Sequence, residues 1–510
     1  MEKKPKKKKV KRHLNPILYK ILTFLLIVVT VVTFSYITIK EIFSLYSLIP
    51  FMIAAIVFII IIAIVMNSKL RRWVKNLFSL LVIIVIAVES LFAIYGTQAF
   101  ALLNKIKDTG IRVETYGVYV NAGSSYSDIK DLTNKTITYL HMENDSQIQT
   151  ALDKLDKDTN LEYTLDSKDN LEDLIKYFND GKTDAIFMSR SYEDIVKEEY
   201  PEEHSKLKLI YSFDIINYVK TETSGKDVTK DTFTVYISGI DTSGKVGSKA
   251  RTDVNILLTI NPKTHQILMI NTPRDYYVPL KTSGKNDKLT HSGIYGIEES
   301  IGTLENYYET NIDYYVRINF TSFIKIVNSL GGIDVEVSKS FCEQDSKRDF
   351  DNQICLKKGK QKLNGEQALA YARHRKTLSN GDMTRGENQM EILKAIMNKA
   401  MSPAIIKGYS GLINALSGNI ITNMSSETMT AFAKKQLSKN TEWTFTSLSA
   451  EGESQTKPCY SLGNARASVV VPDETSIERI KNALKNIYND KSDLLYTEET
   501  TTTSSTTTKR

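Results

Sequence analysis

Two stretches of this chain run without a charged residue for longer than a buried helix of a soluble domain needs. Ile21–Ile39 covers 19 residues and Ile42–Ser68 covers 27. A third apolar run, Asn76–Leu103, is broken only by Glu89. A helix crosses the hydrocarbon core of a bilayer with roughly 20 apolar residues. The pattern therefore predicts three transmembrane helices within residues 17–100, at about 17–39, 47–66 and 77–98. The runs are too long and too many for a cleaved signal peptide. Residues 1–13 carry eight Lys or Arg, and Lys69, Arg71, Arg72 and Lys75 follow the second run, whereas Lys40–Ser47 is nearly free of positive charge. The positive-inside bias then puts the basic N-terminus (residues 1–16) and the 69–75 loop in the cytoplasm, and everything after about residue 100 outside. Glu89 costs roughly 2.5–3.5 kcal/mol at the centre of a span. It reads either as a helix–helix or oligomer contact, or as a protonated or snorkelling side chain.

The net charge of +7 misleads as an average. Residues 1–76 hold 14 Lys or Arg against Glu2 and Glu41, a net of +12, so the rest of the chain is net −5. The basic excess belongs to the membrane end, and no nucleic-acid partner is expected. Hydrophobic residues at 42% and charged residues at 25% suit a chain that buries a core.

Beyond the membrane region, residues 112–220 alternate β-rich and helical patterns. Gly117–Val120, Thr136–Leu140 and Ala185–Met188 read as strands, and Ser146–Leu155 and Leu171–Phe178 as helices. The alternation predicts a small α/β accessory domain without a cluster of chemistry-bearing residues. Leu174–Ile186 weakly resembles the helix–strand step of a solute-binding lobe. Thr221–Asp231 reads as a linker, residues 232–490 as the main domain, and 497–510 as a disordered Thr/Ser tail. Cys342 and Cys355 are 13 apart, so a disulfide outside the cell is open, with Cys459 left over. There is no CxxC, HExxH or paired-His spacing to suggest zinc.

Chemistry gathers in two places. Thr232–Ile240 reads as a strand, Asp241–Ala250 as a loop and Asp253–Ile260 as a second strand. Asn261–Thr264 makes the turn and His265–Ile270 returns to Asn271-Thr272-Pro273-Arg274-Asp275. A hairpin centred between 262 and 263 puts residue 253 opposite 272, so Asp241, Arg251, Asp253, Arg274 and Asp275 converge at one sheet edge. The period of two puts 251, 253 and 255 on one face. Such a set is either surface salt bridges or a phosphate site, with oxygen ligands for a cation and guanidinium forks for the anion. Gly239–Lys245 nearly spells a P-loop, but Val246 lacks the hydroxyl that would hold magnesium.

The second place is Arg373-His374-Arg375, followed by Gly381–Gln389. Ile392, Leu393, Ile396 and Met397 recur with helical period, and Asp382 reads as the N-cap of that helix. Arg385 and Gln389, four apart, then share a face near its N-terminus, a setting that suits a pyrophosphate. Two apolar stripes lie between, one of Ile297, Ile301, Leu304 and Tyr308, the other of Ile324, Val327 and Leu330. Each residue reads as core, and together they are candidates for lining a pocket for an apolar tail.

Seven motifs in order carry a family resemblance: GIDTSG, RTDVNILL, NTPRD, DKLTHSGIYG, NFTSFIKIVNSLGGIDVEV, LNGEQALAYARHR and GDMTRGENQ. The chain resembles the LytR–CpsA–Psr family of Gram-positive cell-wall proteins, closely over 232–440, and within it the CpsA-type capsule proteins with three spans and an accessory domain. The resemblance implies an α/β/α sandwich with a mixed central sheet, a prenyl tail in its apolar core and a smaller α/β accessory domain. It implies a transferase that moves a glycopolymer from a polyprenyl-pyrophosphate carrier to peptidoglycan, making a phosphodiester, with Mg2+ or Mn2+. Asp241 and Asp253 match the metal positions. Arg251, Arg274, Arg373, Arg375, Arg385 and Gln389 match the pyrophosphate positions, with Lys288 as a further basic residue and Asp382 in the GD pair. Asn388 stands where the family often has Arg. Such a step needs charge neutralisation and in-line positioning, with Asp253 or Asp275 to accept the hydroxyl proton. Arg274 and Arg375 are expected on the solvent-side rim. The competing expectations are a lipid-pyrophosphate hydrolase and a non-enzymatic envelope sensor.

Overall fold

The computed structural model describes residues 16–39, 45–103, 111–141, 147–218, 224–240, 249–347, 352–375, 381–401, 419–439, 442–463 and 465–496. The chain divides into two compact units, Met1–Lys105 with Met429–Asn440, and Ile106–Thr428 with Thr441–Arg510.

In the first unit, α1 (Pro16–Ile39), α2 (Leu45–Asn67) and α3 (Arg72–Leu103) are each long and apolar enough to cross a membrane. Tyr19, Leu26, Ile62, Met66 and Val82 pack them together, while Phe24, Phe51, Ile64 and Val88 face outward. Outward apolar side chains are what a lipid solvent permits. The third helix starts at Arg72, earlier than the pattern predicts, so Arg72 and Lys75 belong to its first turn. Thr30 Oγ1 of α1 donates to Glu89 Oε1 and Oε2 at 3.1 and 3.0 Å, which makes Glu89 a helix–helix contact.

The second unit holds two main sheets. The first contains β1 (Ile111–Asn121), β2 (Thr136–Leu140), β3 (Thr164–Lys168), β4 (Ala185–Ser189) and β5 (Leu207–Tyr218) in the order β3-β2-β4-β1-β5. Its helices are α4 (Ile148–Thr159), α5 (Leu171–Asn179), α6 (Glu193–Glu199) and the short α7 (Pro201–His204). Asn170 caps α5 by accepting the Asp173 N–H, and Leu171, Leu174, Ile175 and Phe178 bury one helical face. The strand pattern misses β5, which pairs along the whole of β1.

The second sheet is mixed. It joins β6 (Phe233–Ile240), β7 (Thr252–Asn261), β8 (Gln266–Asn271), β11 (Tyr314–Asn319), β16 (Ile420–Thr422) and β17 (Thr444–Ser449) in the order β16-β11-β6-β7-β8-β17. A small hairpin, β9 (Tyr277–Pro279) and β10 (Asn286–Lys288), leads into the short α8 (Leu289–Ser292). On one face Tyr236, Leu257, Leu268 and Ile270 pack against α9 (Ile297–Tyr308) and the C-terminal helix Glu474–Tyr488. The alternate residues Ile237, Ile256 and Ile318 line a cavity whose other walls come from α10 (Phe320–Ser329), α11 (Gly365–Arg373) and α12 (Gly381–Met401). Helices on both faces of a mixed sheet make the expected α/β/α sandwich. The two apolar stripes, however, are core. Ile297, Leu304 and Tyr308 pack in one cluster and Val327 and Leu330 in another, and none lines the cavity.

Two local features depart from the hairpin drawn from sequence. Asn261 pairs with Gln266 and Ile256 with Asn271, so the turn is a four-residue loop, with His265 at φ 57. The register is shifted by two residues, which brings Arg274 rather than Thr272 level with Asp253. A β-bulge also lies opposite Ile240, where Gly239 pairs with Val254 but Ile240 with Thr252. The extra residue is Asp253, and the bulge re-aims its side chain. Asp253, Val254 and Ile256 all line the cavity, while Thr252 and Asn255 turn the other way into a buried polar network with Tyr236. Residues 251, 253 and 255 therefore do not share one face.

Although 112–220 and 232–490 carry separate sheets, an apolar seam joins them. Leu174, Ile195 and Val196 cluster with Ile294, Leu462 and Val469. Beside the main sheet, Cys342 and Cys355 form a disulfide between directly paired positions of β13 (Phe341–Gln344) and β14 (Gln353–Leu356). Cys459 is a buried free thiol, pushed up to about 12 by burial.

Candidate functional site

The cavity on the α10–α12 face has a volume of about 330 Å3. Ile237, Ile256, Ile318, Phe320, Phe323 and Ile396 form its apolar walls. Asp253, Arg274, Arg373, Arg375, Arg385 and Gln389 add polar groups to its lining. An apolar cavity with a few converging polar groups is the usual form of a ligand site.

Each polar group is placed by its own element. Arg373 ends α11, and Asn364 caps the start of that helix in a reciprocal capping box with Gln367. Helix geometry stops there, because His374 is extended at φ −64 and ψ 129. His374 stacks on Phe341 at 3.9 Å and its Nδ1 lies 3.4 Å from Glu343 Oε2, which ties the Arg373–Arg375 segment to the disulfide-stapled hairpin. Arg373 Nη1 donates to the Asp345 carbonyl at 3.0 Å and lies over the Phe320 ring. Arg375 is exposed on the rim. Arg385 and Gln389 project from successive turns of α12, and Gln389 Nε2 donates to the Ala372 carbonyl at 3.3 Å. Asn388 points elsewhere, donating to the Tyr371 carbonyl at 3.3 Å, so it pins α12 to α11 and does not line the cavity.

Arg274 is the hub of an ion-pair network, not a rim residue, with its side chain 11% exposed. Its Nη1 lies 3.0 Å from Asp253 Oδ1 and its Nε 3.4 Å from Asp275 Oδ2. Thr290 Oγ1 adds a hydrogen bond to Asp253 Oδ1 at 3.2 Å. Burial opposes ionisation of Asp253, but Arg274, Arg251 and Arg385 outweigh it and hold the carboxyl below the usual carboxylate range. The DKLTH segment reaches this network because Gly293 packs on the backbone of 250–252. A Cβ there would stand 2.4 Å from the Ala250 carbonyl oxygen.

Arg251, Lys288 and Asp275 do not line the cavity but join the same network. Lys288 Nζ is 3.9 Å from Asp275 Oδ1. Sequence reasoning missed the two acids that complete it. Glu198 of α6 pairs with both Arg251 and Arg274, and Glu199 pairs with Lys288. Their only signal was an acidic run, 193–203, in a segment without motifs. Glu343, Gln344 and Asn319 also line the cavity. Asn319 is the N-cap of α10, accepting the Ser322 N–H at 2.9 Å.

Asp241 lies outside the described residues, as does the Asp382 side chain. The helix begins at Gly381, so Asp382 is inside it and is not its cap. Among the described residues no group of three or more His, Cys, Asp or Glu side chains stands ready to hold a metal ion. Magnesium is commonly held by one or two carboxylates together with substrate phosphates. Ionised Asp253 fits that donor set, and the strand position that pairs beside it, Ile240, leads directly into Asp241.

Known proteins are similar to part of this chain. It is 38% identical over 203 residues to a Bacillus subtilis protein named polyisoprenyl-teichoic acid–peptidoglycan teichoic acid transferase TagT, covering 39% of this chain and 62% of that one. The chain thus spans less than two thirds of that relative's length. It is 33% identical over 265 residues to the Enterococcus faecalis transferase TagU, covering 51% of this chain and 82% of that one. A crystal structure of B. subtilis TagV is 31% identical, covers 52% of this chain and 99% of that one, and superposes with a TM-score of 0.44. A match over residues 185–486, more than half of the sequence, places the chain in the LytR_cpsA_psr family.

Proposed function

We propose that this protein is a membrane-anchored phosphotransferase that moves a glycopolymer from a polyprenyl-pyrophosphate carrier onto peptidoglycan through a phosphodiester link. The observation that carries the reading is that Arg274, Arg373, Arg375 and Arg385 share the lining of one cavity with its apolar walls. A prenyl chain suits the apolar walls, and a pyrophosphate suits the guanidinium cluster. The names of the teichoic acid transferase relatives support the same reaction class.

In this reading the arginines take up charge that develops on the phosphates, and Gln389 braces the Arg373 segment against α12. An acceptor hydroxyl attacks the phosphorus that carries the polymer, and prenyl phosphate leaves. Asp253 is the better candidate than Asp275 for receiving the hydroxyl proton, because it lines the cavity. Asp241 and Asp253 would hold Mg2+ (Mn2+ has the same ligand preference), which supplies neutralisation of phosphate charge. The three apolar helices serve as the anchor. The charge asymmetry of residues 1–76 puts the N-terminus in the cytoplasm and the cavity outside, where peptidoglycan is.

The test is transfer of a prenyl-diphosphate-linked glycopolymer to peptidoglycan by the purified full chain. Arg385→Ala is expected to lower the rate by about 10²-fold, as loss of one preorganised charge donor does, and excess chelator should abolish it. Transfer at the unaltered rate in Arg385→Ala would refute the site, and full activity in chelator would refute the metal.

A further inference from the structure

The basic groups in and beside the cavity fall into two sets. Arg373 at the end of α11, Arg375 just beyond it and Arg385 of α12 line the cavity. Arg251 immediately precedes β7, Arg274 follows β8 and Lys288 ends β10, and they are held by α6 of the five-stranded-sheet segment. One carboxylate oxygen of Glu198 meets Arg251 and the other meets Arg274. That is how two oxygens of a phosphate engage a pair of guanidinium groups. Glu199 meets Lys288 through one carboxylate oxygen. The helix carrying them is fixed, since Tyr192, Ile195 and Val196 are buried in the seam shared with Ile294 and Val469. The carboxylates themselves are reachable from solvent, with the Glu198 side chain 33% exposed and that of Glu199 18%. A rotamer change of the two glutamates releases their pairs with Arg251, Arg274 and Lys288, while Arg274 keeps Asp253 and Asp275 and Lys288 keeps Asp275.

Resting on the pyrophosphate reading of this site, we propose that Glu198 and Glu199 are a built-in competitor for the second phosphate of the carrier. Arg274 links the two sets, since it lines the cavity and also pairs with Glu198, so a diphosphate, with one phosphate for each set, displaces the two carboxylates. A monophosphate satisfies one set and leaves the other with its glutamates. Transfer takes the polymer-bearing phosphoryl group to the acceptor oxygen, and the bridging oxygen stays with prenyl phosphate. The vacated set is then reclaimed by Glu198 and Glu199. The five-stranded-sheet segment therefore takes part in the reaction cycle. It keeps the arginines paired before the substrate arrives and weakens the hold on the spent carrier.

The experiment is calorimetric titration of the full chain in detergent micelles with farnesyl diphosphate and, separately, farnesyl monophosphate. Wild type is compared with Glu198→Gln and with Glu198→Gln/Glu199→Gln. Both variants are expected to bind the diphosphate about tenfold tighter, the scale of one charge-assisted hydrogen bond, with monophosphate affinity unchanged. Diphosphate affinity that is unchanged or weaker in the variants overturns the proposal, weaker binding marking the glutamates as braces for the arginines. If Glu198→Gln does not fold, Glu198→Asp, too short to span both guanidinium groups, gives the same readout. Failure of wild type to bind the diphosphate at all sinks the site reading itself, a result distinct from equal binding by all three proteins.

Discussion

Gly386 lies between Arg385 and the rest of α12, where the helix crosses the end of β8. A Cβ added there would stand 1.9 Å from Asn271 Nδ2 and 2.6 Å from its Cγ. Non-bonded carbon contacts settle at about 3.5–4.0 Å, so either the Asn271 side chain or α12 must give by more than an ångström. Asn271 is only 3% exposed and has little room to swing. Overpacking of this kind costs about 1–3 kcal/mol, and the gain in helix propensity from Gly to Ala returns about 1 kcal/mol. Gly386→Ala is therefore expected to be destabilised by no more than about 2 kcal/mol. Its effect on transfer should be much larger, because displacement of a positioned group by about 1 Å can lower a rate by about 10²-fold. Thermal unfolding and the transfer rate, measured on the same preparation, separate the two effects. Asn271→Ala/Gly386→Ala removes the clash and should recover most of the rate. A Gly386→Ala protein that transfers at the wild-type rate, or a double variant as impaired as the single one, would refute this reasoning.

Two further outcomes follow from the geometry. The Cys342–Cys355 bridge closes a loop of 13 residues' separation, and loss of such a cross-link removes about 3 kcal/mol in the chain-entropy account. Reduction, or Cys342→Ser/Cys355→Ser, should lower the Tm and, through Phe341 and His374, slow transfer. An unchanged Tm and rate under reductant would count against the staple. Asp253 and Asp287 both sit below the usual carboxylate range. In each case burial is outweighed by partners, the arginines for Asp253 and His291 for Asp287. A depressed carboxyl contributes stability that is present above its unfolded value of about 4 and lost as pH falls through the folded value. The Tm should thus be level near neutrality and fall on acidification below about pH 4, with a shallower fall in Asp287→Asn. Identical acid profiles for wild type and Asp287→Asn would oppose that assignment.

Single helices were legible where periodicity was strong, whereas the sandwich was expected only from the family resemblance. Leu171–Phe178 and Ile297–Tyr308 show one apolar face at helical spacing, and both are helices with that face buried. The basic residues of the cavity were legible by type and order, since Arg274, Arg373, Arg375, Arg385 and Gln389 do meet. Their company was not. A four-residue turn and a bulge each move a register by whole residues, and neither leaves a mark in hydrophobic alternation. Which apolar residues face the cavity was also hidden. Ile237 and Tyr236 are equally apolar neighbours, and only the sheet's two covered faces separate a wall from a core. Glu198 and Glu199 were out of reach for a different reason. Their partners lie 53 to 89 positions further along the chain and come close only through the apolar seam.

The extra residue in β7 fixes a frontier. By turning Asp253 and Val254 to the same side, it sets an ionised group and a hydrocarbon surface on adjacent residues. An amphiphile entering there changes character over a similar span, from charged head to oily chain. Removing one residue from this stretch would restore regular alternation and send either the acid or the aliphatic group to the far side of the sheet. The length of the strand, as much as the identity of its residues, is thus what aligns a lipid's own polarity boundary with the protein's.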